Sequence, residues 1–438
     1  MPSESLSLAR YAHLASVTDT LPVSGRVVRT VGLLVESRGP RSRVGDLCEL
    51  APDAGRPQLP LQVVGFRDGL VQLVPLGSTA GIRPGDRVIA RGGSATVRVG
   101  AAMLGRIVDG LGRPLDQGGP LDLRDAYPLH PPPLNPLARS PIVAPLGTGV
   151  RAIDALLTAG RGQRIGVFGG SGVGKSTLLG MMARGTAADV SVIALVGERG
   201  REVRSFLEHD LGPDGLARSV VVASTSDNPP LLRLRAAYAA TAIAEYFRDQ
   251  GKHVLLMMDS VTRFATAQRE VGLAAGEPPT AKGYPPSVFA LLPTLLERSG
   301  NVAGRGSITA FYTVLVEGDD HTEPVADHVR AILDGHIVLS RELAERNHYP
   351  AIDVLQSVSR TMPDVTPTGH RVKAGQVREW LATIRNSEDL VNVGAYVPGA
   401  NARIDDALAK RGALDAFLRQ PAGELIPFDA AVEALSAL

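Results

Sequence analysis

The chain has 438 residues, of which 44% are hydrophobic, so it is long enough to bury a large core and is typical of about three domains. Its 46 basic and 45 acidic residues give a formal charge of +1, which excludes a strong overall field toward nucleic acid or acidic lipid. A single cysteine, Cys48, excludes an internal disulfide framework and a cysteine-based zinc site. We therefore expect a globular protein of a reducing compartment, with the cytoplasm as its location.

The N-terminal segment, residues 1–25, carries Leu8, Tyr11, Leu14 and Val17 at threefold spacing. This pattern predicts a short amphipathic helix, with a flexible terminus as the alternative. The segment lacks a basic start followed by an apolar stretch, so we expect no signal peptide. No run of the chain approaches the roughly 18 apolar residues of a membrane span, which leaves only peripheral membrane association open.

Changes in composition and hydrophobic patterning along the sequence predict three further domains. Residues 26–95 contain short β-rich runs such as "RVVRTVGLLVE" and "LQVVGF" between turns, which predict a small β barrel. Residues 96–360 open with a connector rich in glycine and proline, and strand-like runs then alternate with helical stretches. That alternation predicts an α/β domain with a parallel sheet covered on both faces. Residues 361–438 lose the strand signals and predict a C-terminal helical domain.

The stretch "GGSGVGKST" lies between the apolar run "RIGVF" and a helix-compatible segment. Its glycines let successive backbone N–H groups converge on phosphate, and the helix N-terminus favours anions. Lys175 is expected to reach the terminal phosphates of a nucleotide and Ser176 to bind Mg²⁺. The predicted phosphate loop consists of Gly169, Gly170, Ser171, Gly172, Val173, Gly174, Lys175, Ser176 and Thr177.

Two carboxylates follow later strand-like runs. Asp259 ends the apolar run "HVLLMMD", where open α/β sheets bind ligands, so we expect it to hold Mg²⁺ through water. Glu198 follows "VSVIALVG" and is placed to orient a water molecule toward the γ-phosphate. A solvated turn is the alternative for Glu198, and the pattern alone does not decide whether Arg199 pairs with phosphate.

Several longer motifs make the chain recognisable. "GGSGVGKST", "GERGREV", "DSVTRFATAQRE", "GEPPTAKGYPPSVFALLPTLLERSG" and "GAYVPGANARID" together resemble the type III protein export ATPases, most of all their flagellar branch. These are relatives of the catalytic β subunit of rotary ATP synthases. The resemblance extends from about Arg26 to the C-terminus. It implies a barrel, a RecA-like ATPase domain and a C-terminal helical domain, assembled as a homohexameric ring with ATP between subunits.

The resemblance also implies roles for single residues. Glu198 matches the family's water-activating glutamate, and Arg199 matches the neighbouring arginine that contacts phosphate. Arg263 matches a supporting arginine of the same site, with bracing of the sheet edge as its alternative. Tyr349 matches the residue whose ring stacks on adenine. Arg360 matches the arginine finger that is offered to the ATP of the neighbouring subunit.

The partners that the resemblance implies are those of an export motor. They are regulatory proteins like a stator, a protein like a central stalk, complexes of export chaperones with their substrates, and a membrane export gate that the ATPase meets by peripheral association with the inner membrane. A loop facing the central pore matches "EPPTAKGYPPS", which makes Lys282 and Tyr284 candidates for pore contacts.

Three alternative functions are weighed against flagellar export. The injectisome branch, which secretes effectors, is a close variant, and "EPPTAKGYPPSVFA" and "GAYVPGANARID" favour the flagellar branch over it. An RNA-translocating hexamer of the transcription terminator Rho type would need aromatic residues for base stacking, and residues 26–95 offer only Phe66, so no nucleic acid partner is expected. A regulatory subunit that does not hydrolyse nucleotide would need neither Glu198 nor Arg360.

Overall fold

The computed structural model describes residues 23–51, 58–92, 95–316, 318 and 323–438. Contacts between residues divide the chain into two compact units, one ending at Ala95 and one spanning Thr96–Leu438. The helix that is predicted around residues 8–17 lies outside the described residues. No helix of the described ranges is long and apolar enough to cross a membrane.

The first unit contains a closed barrel of six strands. Antiparallel pairing joins each strand to its neighbours, and strands 1 and 6 close the barrel. Inward-facing side chains alternate along the strands and form the barrel core, as Val27, Val35, Leu61 and Leu73 show. The strands are β1 (Ser24–Val31), β2 (Leu34–Arg38), β3 (Leu47–Ala51), β4 (Leu59–Arg67), β5 (Leu70–Pro75) and β6 (Arg87–Ala90).

The second unit is built on a nine-stranded sheet. Its strands, together with a separate pair formed by β7 and β9, are β7 (Thr96–Val99), β8 (Arg106–Val108), β9 (Asp125–Pro128), β10 (Arg164–Gly169), β11 (Val190–Val196), β12 (Ser219–Ser224), β13 (His253–Asp259), β14 (Gly300–Asn301), β15 (Ser307–Leu315), β16 (Gly335–Leu339) and β17 (Ile352–Ser359). The order across the sheet is β17-β16-β10-β15-β13-β11-β12-β8, with β14 paired to β15. Among the strands of this sheet that the structure describes, only β14 and β17 pair with their neighbours in the antiparallel sense.

Helices follow the strands and cover the sheet. The first group is α1 (Arg151–Leu156), α2 (Lys175–Gly185), α3 (Gly200–Ser205), α4 (Gly212–Ala217), α5 (Pro230–Asp249), α6 (Val261–Ala274), α7 (Pro286–Leu296), α8 (Pro324–Ile332) and α9 (Arg341–Glu345). A π-helical turn, Phe206–Leu211, joins α3 to α4. The second group is α10 (Met362–Val365), α11 (Thr368–Asn392), α12 (Ala402–Leu418) and α13 (Phe428–Ser436). This architecture confirms the predicted fold class.

The C-terminal helices pack on the core of the α/β domain. Trp380 on α11 and Phe417 on α12 belong to the same buried cluster as Ile153 on α1. The indole N–H of Trp380 donates a hydrogen bond to Asp406 at 2.7 Å, which ties α11 to α12. Because this packing is continuous, the division of the second unit near residue 360 stays a prediction from sequence.

The connector contributes more to the sheet than its composition indicates. Residues 106–108 form β8, which pairs in parallel with β12 at the edge of the large sheet. Asp116 accepts hydrogen bonds from Arg106 and from the backbone N–H of Ile107, which holds this short strand in place. A run of only three residues carries too little periodic signal to be found from sequence.

Candidate functional site

Four neighbouring strands bring the candidate residues together at the carboxyl ends of the parallel strands. The strands β10, β15, β13 and β11 are adjacent and parallel, so their carboxyl ends open on the same side. The phosphate loop follows β10, Asp259 ends β13, and Glu198 lies two residues after β11. Ligands of open α/β sheets bind at this edge. The structure therefore gathers Lys175, Glu198 and Asp259 from three separate parts of the chain.

The phosphate loop has the backbone conformation of an anion site. Gly172 and Gly174 have φ angles of 81° and 87°, in the left-handed region that glycine adopts without strain. Helix α2 begins directly afterwards at Lys175, and no side chain caps its first turn. The free N–H groups of that turn and the positive end of the helix dipole favour a bound phosphate.

Lys175 lies in a desolvated position between carboxylates. Burial lowers the pKa of its ammonium group, while the charges of Asp259 and Glu198 act in the opposite direction. A partly buried lysine of this kind is strongly attracted to an incoming anion. The site is thus prepared for the negative charge of a polyphosphate.

Asp259 is held by a neighbouring strand. Only 5% of the residue is exposed, and its Oδ1 accepts a hydrogen bond of 2.5 Å from the hydroxyl of Thr313 on β15. Thr313 fixes the carboxylate while the other oxygen keeps its capacity to accept. Sequence analysis missed Thr313, because a threonine within a strand is usual and only the strand order places it beside Asp259.

Glu198 is half-buried at the rim of the site. Burial, the charge of Asp259 and a side-chain hydrogen bond with Glu202 raise its pKa to about 8. Burial also acts to raise the pKa of Glu202, but the hydrogen bond with Glu198 keeps that pKa below its ordinary value. The hydrogen bond between the two carboxyl groups therefore favours the protonated form of Glu198 and the charged form of Glu202. Sequence analysis missed Glu202, because Glu198 precedes α3 and Glu202 lies in its first turn, so that helical spacing does not relate the two residues.

The two arginines near Glu198 differ in their surroundings. Arg263 packs against Gly197, where an added Cβ would come within 2.9 Å of the Cβ of Arg263. The Nε of Arg263 is buried and has no hydrogen-bond partner within the described part of the chain, so a donor is available at the site. Arg199 is exposed at the start of α3 and pairs with Glu202 at 3.3 Å. Arg199 is therefore oriented by the same carboxylate that contacts Glu198.

Tyr349 borders the phosphate loop. A Cβ added to Gly174 would lie 3.3 Å from Cε1 of the Tyr349 ring, so the ring rests on the loop. The residue remains 41% exposed, which leaves ring surface open to a planar ligand. This placement brings the predicted adenine contact next to the predicted phosphate contacts.

Arg360 is the one predicted residue that the structure keeps apart from this group. It follows β17, and Ser359 pairs with Gly335 at the start of β16. Since β16 runs parallel to β10, this position lies level with the beginning of β10, whereas the phosphate loop follows its end. The length of the strand separates the two by roughly 15 Å. Arg360 is exposed, and it therefore lies at the amino end of the parallel strands, whereas the phosphate loop of its own chain lies at their carboxyl end.

The loop predicted to face a pore contains one residue that is unsuited to that role. Tyr284 is buried, its ring faces Phe289, and the guanidinium of Arg269 lies 5.0 Å from the ring centroid. A buried ring cannot contact a translocating chain, which corrects the prediction for Tyr284. Lys282 in the same loop is exposed.

Three family models match successive parts of the chain. The beta-barrel domain of the ATP synthase alpha/beta family matches residues 27–92, and its nucleotide-binding domain matches residues 149–359. The T3SS EscN ATPase C-terminal domain matches residues 366–437. The fold and the site thus define a nucleotide-binding protein of the ATP synthase alpha/beta class.

The relatives narrow this class. The flagellum-specific ATP synthase of Bacillus subtilis is 53% identical over 425 residues, covering 96% of both chains, and that of Salmonella typhimurium is 52% identical over 94% of this chain and 92% of its own. The type 3 secretion system ATPase of Xanthomonas euvesicatoria is 51% identical over 94% and 93%. The chain belongs to the family of flagellum-specific ATP synthases and type 3 secretion system ATPases.

A solved structure has the same fold over nearly the whole chain. It is that of the assembled ATPase EscN from the type III secretion system of enteropathogenic E. coli. The TM-score is 0.89 at 46% identity, and the match covers 94% of this chain and 98% of EscN. A second structure shows assembled EscN in complex with its central stalk EscO, with a TM-score of 0.87.

Proposed function

We propose that this chain is the ATP-hydrolysing motor of flagellar type III protein export, which couples hydrolysis to the release of export substrates from chaperones and to their entry into the export gate. The observation that carries the proposal is the convergence of Lys175, Glu198 and Asp259 beside the phosphate loop. Nucleotide binding alone does not require a carboxylate in the position of Glu198.

The residues divide the work of hydrolysis between them. The phosphate loop and Lys175 hold the β- and γ-phosphates, and Tyr349 provides a stacking wall for adenine. Glu198, once deprotonated, accepts a hydrogen bond from a water molecule and orients it for attack in line with the bond to the leaving group, so that ATP and water yield ADP and phosphate. Arg263 and Arg199 supply positive charge near the developing negative charge.

The donor set at this edge fits Mg²⁺. Ser176 is an exposed residue of the first turn of α2, and the Asp259 carboxylate retains an oxygen beyond the one that Thr313 holds. Hard oxygen donors of this kind are what Mg²⁺ prefers. Bound Mg²⁺ would neutralise charge on the phosphates, with Ser176 and Asp259 as its protein ligands, partly through water.

Thr313→Val should raise the Mg²⁺ concentration needed for half-maximal ATPase activity by about tenfold, because outer partners of metal ligands typically contribute that much. Titration of Mg²⁺ at saturating ATP measures the change. Thr266→Val is the matched control, since the Thr266 hydroxyl donates to the carbonyl of Thr262 on α6 rather than to Asp259. An unchanged Mg²⁺ requirement in Thr313→Val would contradict the role of Asp259.

The pH dependence of kcat/KM should report the raised pKa of Glu198. Only the deprotonated carboxylate orients water, so kcat/KM is expected to rise with pH and to level off above about 8. Glu202→Gln removes a neighbouring negative charge and therefore should move the midpoint to lower pH. Initial rates at limiting ATP across pH 6 to 9.5 test this, and a midpoint that stays fixed in Glu202→Gln would argue against the coupling.

We further propose a homohexameric ring in which Arg360 reaches the ATP of the neighbouring subunit. The position of Arg360 at the sheet edge opposite its own phosphate loop supports a contribution in trans. EscN is known in an assembled form. The ATPase rate is expected to rise more than linearly with protein concentration, and a strictly linear rise from dilute to concentrated protein would count against ring-dependent catalysis.

A protein like a central stalk is the next partner we propose. EscN forms a complex with its central stalk EscO. In this chain Leu390 at the end of α11 and Val393 and Val397 in the turn that follows are exposed apolar residues, and we propose them as contacts for this partner. Regulators like a stator, chaperone–substrate complexes and the membrane gate complete the proposed set, with the ATPase acting in the cytoplasm by peripheral association with the inner membrane.

Deletion of the gene in its own bacterium tests the choice of branch. Loss of flagellar filaments and motility, restored by the wild-type gene but not by a Lys175→Ala allele, is the expected result. The injectisome function is the second candidate, favoured by the match of residues 366–437 to the EscN-type C-terminal domain. Loss of effector secretion with intact filaments would establish that function instead.

A further inference from the structure

Gln420 occupies a junction between three parts of the second unit. It follows α12, and only 3% of the residue is exposed. Its Nε2 donates to the carbonyls of Gly149 and Glu424, both at 2.8 Å, and its Oε1 accepts from the backbone N–H of Arg151 at 2.8 Å. Both ends of the amide are thus satisfied, which fixes the side chain in one orientation.

On one side of this junction Gln420 contacts the loop that carries Tyr349, whose ring is the proposed stacking surface for the nucleotide base. The backbone N–H of Gln420 donates to the carbonyl of Tyr349 at 3.0 Å. The adjacent Arg419 donates from Nη1 to the carbonyl of Asn347 at 3.3 Å. The loop that carries the Tyr349 ring is therefore attached to the chain segment after α12.

The other side holds the helix of the phosphate loop. Gly149, which accepts from Gln420, packs on Gly185 at the end of α2, where an added Cβ would lie 2.7 Å from the Cα of Gly185. Arg184 on the last turn of α2 donates from Nη2 to the carbonyl of Ala422 at 2.7 Å. The same segment thus contacts the far end of the helix that begins at the phosphate loop.

We propose that Gln420 is a positioning residue for nucleotide binding. Its side chain anchors residues 419–424 to the backbone around Gly149, and its main chain then sets the position of the Tyr349 ring over the phosphate loop. The nucleotide base is bound more tightly when this attachment is intact, because a ring that is fixed in advance loses less entropy on binding. The inference rests on the proposed function of Tyr349 as the wall of the base site.

Gln420→Met tests the proposal, because methionine has a similar length and no amide. Affinities for Mg-ADP and for Mg-pyrophosphate are measured by titration calorimetry on the full chain. Gln420→Met is expected to bind Mg-ADP about tenfold more weakly, which corresponds to about 1.4 kcal/mol, and to bind pyrophosphate within about twofold of wild type. An equal loss for both ligands, or no loss for Mg-ADP, would overturn the proposal.

A double-mutant cycle with Tyr349→Ala separates positioning from a general loss of structure. If Gln420 acts through the ring, Gln420→Met should weaken Mg-ADP binding no further once the ring is absent. Additive losses would overturn the proposal. Trp380→Phe is the matched control, since it removes a hydrogen bond of a comparably buried side chain between α11 and α12 and should leave Mg-ADP affinity unchanged.

A second variant keeps the test decisive if Gln420→Met does not fold. Arg184→Met cuts the attachment of the same segment to α2 from a partly exposed position and should weaken Mg-ADP binding in the same selective manner. Retention of full Mg-ADP affinity in that variant would overturn the proposal. Failure of the proposed function has a different signature, since wild-type protein would then bind no Mg-ADP or hydrolyse no ATP.

Discussion

Glu198→Gln is expected to reduce ATP turnover by about 10² to 10⁴-fold while Mg-ATP binding stays within a few-fold of wild type. The amide keeps the size of the side chain, but its neutral oxygen accepts a weaker hydrogen bond than a carboxylate does and cannot take up a proton from the attacking water. Because Glu198 lies at the rim rather than in the phosphate loop, its charge contributes little to ground-state binding. Steady-state turnover and equilibrium binding of a fluorescent ATP analogue, measured on the same preparation, give the two quantities.

The matched control for this prediction is Glu208→Gln. Glu208 lies on the π-helical turn that follows α3 and pairs with the exposed Arg204 at 2.7 Å, so its loss should leave turnover nearly unchanged. Turnover near the wild-type rate in Glu198→Gln would remove Glu198 from the mechanism. A parallel loss of ATP binding would instead make it a residue of the binding site.

The chemistry of the site could be predicted from the sequence more completely than the arrangement of its residues in space. The phosphate loop could be identified locally, because its glycines and Lys175 are adjacent in the chain. Glu198 and Asp259 could be placed only at strand ends. The two strands β15 and β13 that lie between β10 and β11 were not apparent, because strand order depends on long-range pairing that a local pattern does not contain.

The residues that sequence analysis missed share one property. Thr313 and Glu202 act on Asp259 and Glu198 rather than on a ligand, so the pattern that marks a ligand-binding residue does not single them out. Gln420 is similar, since it contacts Tyr349 across 71 residues of chain through a backbone hydrogen bond. Burial of Tyr284 also follows from packing, because an aromatic ring in a loop is compatible with either a solvent-facing or a buried position until its neighbours are known.

Arg360→Ala is expected to lower turnover by about 10³ to 10⁵-fold even in fully assembled protein, since an arginine finger contributes that much to phosphoryl transfer. The structure separates Arg360 from the phosphate loop of its own chain, so we expect the affected ATP to be that of a neighbouring subunit. Turnover is measured at protein concentrations where light scattering shows assembly. Arg346→Ala is the control, because this exposed arginine pairs with Glu342 and Glu388 on the surface.

Mixing two inactive variants decides whether the site is shared. Arg360→Ala retains a complete phosphate loop, and Lys175→Ala retains the finger, so an interface that takes the loop from the first and the finger from the second has every proposed catalytic residue. In randomly mixed rings about one quarter of the interfaces are of this kind. Turnover should therefore recover toward about a quarter of the wild-type rate. The recovery should be smaller if hydrolysis at one site requires active neighbouring sites in the same ring. If well-mixed rings stay inactive, Arg360 does not complete the site of a neighbouring subunit. The arginine finger of that site would then have to come from another position in the chain.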